Sequence, residues 1–261
     1  IYFVYYICKR LREKTFQRRV SLKQKVIGFE FEIGSPWSMA TTVRKIREEL
    51  GIKGLKAQVD VTVDTPQKYN GEIATPPWPY RQGVVNLKKI FKWFERNGIV
   101  TNDSCGFHVN ISFKTKHLNW MMDTQRLILC FNEEKWLKVC KRHGSEWTEC
   151  YIDELIVSAG KKKFKDEDGV KKWIDKQLED LIEERQHTIN LNNLENAMNP
   201  YVEYRCLGGV GYHLRYNVMI KAITDMAKNL ERALPNAKGT GFMTTKVKEC
   251  FLPQTSSFIP H

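Results

Sequence analysis

Two carboxylates two residues apart, Glu30 and Glu32, sit in the segment Gly28-Phe-Glu-Phe-Glu-Ile-Gly34. In a strand, side chains alternate between faces with period two. Glu30 and Glu32 therefore share one face, while Phe29, Phe31 and Ile33 share the other. Like charges at this spacing repel unless a cation sits between them, and a divalent ion with hard oxygen ligands meets that need. A solvated edge strand would also explain an isolated pair of this kind. The same pattern recurs, however. Further polar faces carry Asp60 and Asp64, Glu72, His108 and Asn110, Asn190, and Glu203 with Arg205. Lysine is absent from these positions in a chain holding 42 lysines and arginines. Such a set fits Mg²⁺ binding by the acids and histidine, with the arginine free to fork onto phosphate or carboxylate.

Plainer roles stand beside each of these. His108 alone fits a structural histidine, Glu203 and Arg205 fit a simple ion pair, and Asp60 and Asp64 fit turn or cap positions. Cys105 lies three residues before His108, which on a strand puts the two on opposite faces and argues against a thiol–imidazole nucleophile. No Cys/His cluster has zinc spacing, no Walker loop is present, and Gly208-Gly209-Val210-Gly211 lacks the dinucleotide spacing.

The elements that must position these residues are read from periodicity. Strands are expected at 26–33, 59–64, 71–75, 107–112, 188–192 and 201–206, each with one apolar and one polar face. Helical spacing covers 38–50, 80–97, 117–143, 147–158, 170–185 and 212–234, with a charged loop at 160–169. The expectation is an α+β fold whose mainly antiparallel sheet packs on one side only. Residues 1–25 are expected to form a basic N-terminal arm, 26–235 one α+β domain, and 236–261 an irregular tail rich in Gly, Thr and Ser.

Composition narrows the class. At 42% hydrophobic residues and a mean hydropathy of −0.47, the 261-residue chain reads as soluble and globular. Seven cysteines without a C-x-x-C pair suit a reducing compartment rather than a disulfide framework. The net charge of +12 is concentrated: residues 1–25 hold eight basic residues against Glu13 alone, which leaves +5 for the rest. Such an arm can meet nucleic acid, an anionic membrane or an acidic protein, or simply be solvated. The apolar run Ile1–Cys8 reaches only about 12 Å as a helix, too short to span a bilayer. A strand or packing arm is expected there rather than a membrane anchor.

In order along the chain, six segments resemble the amidoligases of the glutamine synthetase and glutamate–cysteine ligase superfamily. They are Gly28-Phe-Glu-Phe-Glu32, Asp60-Val-Thr62, Glu72-Ile-Ala-Thr-Pro-Pro77, Asn102-Asp-Ser-Cys-Gly-Phe-His-Val-Asn110, Arg185-Gln-His-Thr-Ile-Asn-Leu191 and Val202-Glu-Tyr-Arg205. One departure is Asp60-Val-Thr62, where the family has a small residue followed by serine. The resemblance implies a curved, mainly antiparallel sheet forming a cleft, with helices on its outer face. It implies an ATP- and Mg²⁺-dependent carboxylate–amine ligase working through an acyl phosphate with two or more ions. By the same resemblance, Glu30, Glu32, Glu72, His108 and Glu203 look like metal ligands, and Arg205, Glu32 and Glu72 look catalytic. Asn102, Ser104, Gly106, Asn110, Arg185 and Asn190 look like substrate contacts. The substrates would be an acidic acceptor (a glutamyl group, a peptide or another carboxylate) and an amine. Members often assemble as oligomers and occur in viruses and microbes, which implies a cytoplasmic enzyme, in the host cytoplasm if virus-encoded. Two other readings share the scaffold. One is an inactive fold binding nucleic acid or an acidic partner through the arm; the other is a metal-dependent amide hydrolase that needs no ATP.

Overall fold

The structure, a computed structural model, describes residues 25–115, 118–142, 148–181, 187–196, 198–234 and 251–252. Its organising strand is β1 (Lys25–Ser35), whose Ile27, Phe29, Phe31 and Ile33 are wholly buried along one face. Six more strands follow: β2 (Lys56–Gln58), β3 (Tyr69–Ala74), β4 (Trp78–Pro79), β5 (Gly106–Phe113), β6 (Ile189–Asn190) and β7 (Val202–Gly208). They form one sheet in the order β2-β3-β1-β5-β7-β6, with β4 pairing the start of β1, and every pairing between them is antiparallel. The architecture is α+β, as the alternation predicts.

The helices are α1 (Met39–Leu50), α2 (Tyr80–Arg96), α3 (Leu118–Met121), α4 (Thr124–Leu129), α5 (Glu133–Cys140), α6 (Tyr151–Ala159), α7 (Glu167–Leu181) and α8 (Tyr216–Arg232). The apolar face of the sheet meets α2 and α8. Phe107 of β5 stacks on Phe31 at 5.5 Å and on Tyr212 at 5.4 Å between ring centroids. Phe91 and Phe94 of α2 approach Phe31 edge-on. Burying each such ring contributes about 1.5–3 kcal/mol. This slab fixes β1 and β5 side by side, and with them whatever their opposite faces carry.

Three expected elements differ. Residues 59–64 are not a strand: β2 ends at Gln58, and Asp60 Oδ1 accepts from the Thr62 backbone N–H at 2.9 Å and from its hydroxyl at 2.7 Å. That local bonding is an Asx-turn, which offers the backbone an alternative to a ladder. Val59 and Val61 are accordingly 78% and 93% exposed, and only Val63 of the three is buried. The single helix expected over 117–143 is three short ones. Asp123 caps α4 by accepting from the Arg126 N–H, and Asn132 caps α5 by accepting from the Lys135 N–H, so each Asx side chain starts a new helix rather than continuing the old one. At 212–234 a short 3-10 turn, Tyr212–Leu214, precedes α8.

The basic arm up to residue 24 lies outside the described residues. Lys25, its last member, is already in β1 and pairs with Glu231 at 2.6 Å. Most of the tail is likewise outside them, but Phe251 is buried and packs on Phe164 and Trp173. Among the described residues no helix is long and apolar enough to cross a membrane.

Candidate active site

The register of the sheet converges residues that are far apart in sequence. Glu30 of β1 stands opposite His108 of β5, Glu32 opposite Glu72 of β3, and Gly28 opposite Asn110. Asn110 in turn faces Glu203 of β7, and Glu203 faces Asn190 of β6. The ladder between β5 and β7 shifts between Phe107 and Val109, giving β7 one extra residue there. Bulges re-aim side chains. Here Arg205 stays with Glu203, while Leu207 pairs with Phe107 over the core.

His108 is the hub of this polar face and is 3% exposed. Its Nδ1 lies 3.2 Å from Glu30 Oε2 and 3.3 Å from Glu203 Oε1, and its Nε2 lies 3.4 Å from Glu32 Oε1. Burial alone would depress its pKa. The Glu30 hydrogen bond and the charges of Glu32 and Glu203 outweigh burial and the nearby Arg205, so the pKa is raised. In the metal-free cluster the three carboxylates thus favour a proton on this ring, which a bound metal ion would displace. Burial pushes Glu30 upward, but its bonds to His108 and Asn110 win and hold it below the ordinary carboxylate value. Asn110 Nδ2 donates to Glu30 Oε1 at 2.7 Å, Asn190 Nδ2 to Glu203 Oε2 at 2.9 Å, and Arg205 Nη1 to Glu203 Oε1 at 2.7 Å.

Glu72 behaves in the opposite way. Burial and the nearby charge of Glu30 push it up to about 7, against the help of His108. Gln58 Nε2 donates to Glu72 Oε1 at 3.1 Å. Tyr201 also borders the site: burial and then the charges of Glu30, Glu203 and Glu72 raise its hydroxyl to about 12. Neither Gln58 nor Tyr201 stands out in the sequence. Gln58 was hidden because the expected strand began one residue after it.

The turn before β5 has a structural job. Asn102 Oδ1 accepts from the Ser104 N–H at 3.1 Å and from its hydroxyl at 2.7 Å, and Asn102 Nδ2 donates to Asp64 O at 2.6 Å. Asp64 is therefore tied by its backbone, and its exposed side chain stands apart from the cluster. Gly106 N–H donates to Glu32 Oε2. A Cβ at Gly106 would lie 2.6 Å from His108 Nε2 and 3.0 Å from Glu32 Oε2, so only glycine lets the backbone approach the cluster. Arg185 lies outside the described residues.

The donor set fits a hard divalent cation. Ligand atoms of Glu30, Glu72 and His108 lie within 4.8 Å of one another, as do those of Glu32, Asp60 and Glu72. Carboxylates this close repel by about 3 kcal/mol at an effective dielectric near 20, which an ion would reverse. Two buried atoms on the same face, Asn110 Oδ1 and Arg205 Nε, have no hydrogen-bond partner among the described residues. One is an acceptor and the other a cationic donor, so the face has capacity for both a cation and an anion. A separate trio, Glu149, Glu154 and His187, also brings its ligand atoms within 4.8 Å; neither spacing nor periodicity marks it.

Comparison with known families bears on this geometry. The family model described as "putative amidoligase enzyme" matches residues 15–210, a span that includes every strand described here. No curated protein matches the chain.

Proposed function

The chain belongs to the amidoligase family, and we propose that it is an ATP- and Mg²⁺-dependent carboxylate–amine ligase. The observation that carries this reading is the convergence of Glu30, Glu32 and Glu203 on one buried histidine, with Glu72 and Arg205 at its margins. Glu30, Glu32, Glu72, His108 and Glu203 would hold the metal. Bound Mg²⁺ would supply charge neutralisation at phosphate oxygens, the main catalytic need of phosphoryl transfer.

In the reaction, a substrate carboxylate oxygen takes the γ-phosphoryl group of ATP and ADP departs. The amine nitrogen then attacks the acyl carbon, the carbon–oxygen bond to phosphate breaks, and the amine gives up a proton as the amide forms. Arg205, anchored at Nη1 by Glu203, is placed to meet the phosphoryl oxygens with its remaining N–H groups. The turn 102–106 and Asn110 and Asn190 border the same face and are the proposed substrate contacts. An acidic acceptor suits a chain of net charge +12.

The test is product release. Purified protein is expected to form ADP and phosphate only with Mg²⁺, an acidic acceptor and an amine together, and Glu32→Gln is expected to abolish this while remaining folded. Full turnover by that variant would overturn the metal assignment, and amide cleavage without nucleotide would point to a hydrolase instead.

A further inference from the structure

We infer that Arg142 is a positioning residue for Glu32, acting through the Cys105–Gly106 peptide; what Glu32 then holds rests on the ligase reading above. Arg142 belongs to none of the strands or motifs that form the site. It reaches the site because α5 ends in a reversal. Lys141 adopts φ +56°, the one non-glycine residue with positive φ among the described residues, and Arg142 N–H donates to Leu137 O at 2.8 Å. This i→i−5 bond after a left-handed residue is the Schellman ending that turns a chain back on its helix. A side chain other than glycine is strained there, so the turn is held by its surroundings.

The reversal sends a guanidinium inward. Arg142 is 6% exposed, and its Nη1 donates to Cys105 O at 2.9 Å. The Gly209 N–H donates to the same oxygen at 2.8 Å. The N–H of that same peptide unit, on Gly106, donates to Glu32 Oε2, while Glu32 Oε1 faces His108 Nε2. Two donors on the carbonyl polarise the peptide and strengthen its N–H as a donor. Both oxygens of Glu32 are thereby oriented, one by His108 and one by a peptide that Arg142 fixes. Room for the guanidinium comes from Gly208 at φ +134°, where a Cβ would lie 2.4 Å from Cys105 O and 3.0 Å from Arg142 Nη1. Burying an arginine is unfavourable unless its bonds compensate, and an apolar side chain would fill the space without that penalty. Burial accordingly draws its pKa down while the charge of Glu32 draws it up, which ties the two groups electrostatically as well.

The experiment compares the wild type with R142M and R142K in two measurements. The first, on metal-free protein, is hydrogen exchange at the Gly106 amide by NMR. Exchange is expected to speed up about tenfold or more in R142M and to stay near wild type in R142K, which keeps a cationic donor. The second is Mg²⁺ affinity by calorimetry with the metal alone, expected to fall roughly tenfold or more in R142M, the range for groups that orient metal ligands, with substantial rescue in R142K. A folded R142M with wild-type Gly106 exchange overturns the inference. A wild type that binds no Mg²⁺ overturns the metal reading of the site, while Gly106 exchange still judges Arg142 by itself. Should R142M not fold, R142Q against R142K carries the same comparison of neutral and charged donors.

Discussion

Glu32 of β1 stands directly opposite Glu72 of β3, so two carboxylates share one cross-strand position in the ladder. Like charges placed this way destabilise a sheet, and a fold serving stability alone would pair one of them with lysine. The pair is a cost that a cation would turn into a gain.

Glu72→Gln is therefore expected to stabilise the protein in chelator at pH 8, by about 1 kcal/mol or roughly 2–4 °C in melting temperature. The Gln58 bond survives, since the amide oxygen still accepts. The gain should vanish near pH 5. The Glu72 pKa is raised from 4.5 to about 7, so the folded state holds an extra proton between those values, and wild-type stability falls as pH rises across that window. Above it the wild type bears the full repulsion and the variant does not. Thermal melts at the two pH values check this, and a variant less stable than wild type at pH 8 would refute it. On the proposed ligase reading, the same substitution should abolish ligation.

Glu133 makes a second, independent pH dependence. It is 1% exposed at the start of α5 and accepts from the Tyr151 N–H and the Thr188 hydroxyl. Burial raises its pKa to about 8 despite those bonds. The folded state again binds more protons than the unfolded one, here between pH 4.5 and 8, so stability declines as pH rises through that range by at most about 1.4 kcal/mol per unit. Glu133→Gln, which keeps the acceptor, should flatten that part of the curve. Denaturant melts of the two proteins from pH 5 to 8 measure it; parallel curves would show that Glu133 does not titrate there.

How far all this could be read from sequence follows from which signals are local. Alternation placed β1, β5 and β7 correctly because Phe29, Phe31, Phe107, Val109, Val202 and Tyr204 are buried on one face, and period two then assigns Glu30, Glu32, His108, Asn110 and Glu203 to the other. The same rule failed at Val59–Asp64, where alternating valines met an aspartate able to bond its own backbone. Helical spacing across 117–143 was real in its apolar pattern but silent about Asp123 and Asn132, which act as caps only because the chain turns there. Register was not legible at all. That Glu32 faces Glu72, or that β7 bulges opposite His108, depends on pairing between strands and not on either strand alone. Arg142 was the least visible, since its role arises from a left-handed Lys141 and a peptide 37 residues earlier in the chain.

On the proposed ligase reading, Arg205 would separate anion handling from cation handling within the same cluster. Its Nη1 is committed to Glu203 Oε1, while its buried Nε has no hydrogen-bond partner among the described residues. A planar guanidinium can hold a carboxylate with one edge and present other N–H groups to phosphoryl oxygens; the lysine ammonium is a single point charge. Arg205→Lys should thus keep the pairing with Glu203 and leave Mg²⁺ affinity within about threefold, because no ligand carboxylate loses its counter-charge. Turnover should fall roughly 10²–10³-fold, the usual cost of removing one donor aimed at developing charge. Calorimetry with Mg²⁺ and steady-state ADP release on the same preparation test both halves. Equal losses in the two would mean that Arg205 serves the carboxylate cluster rather than the transferring phosphoryl group.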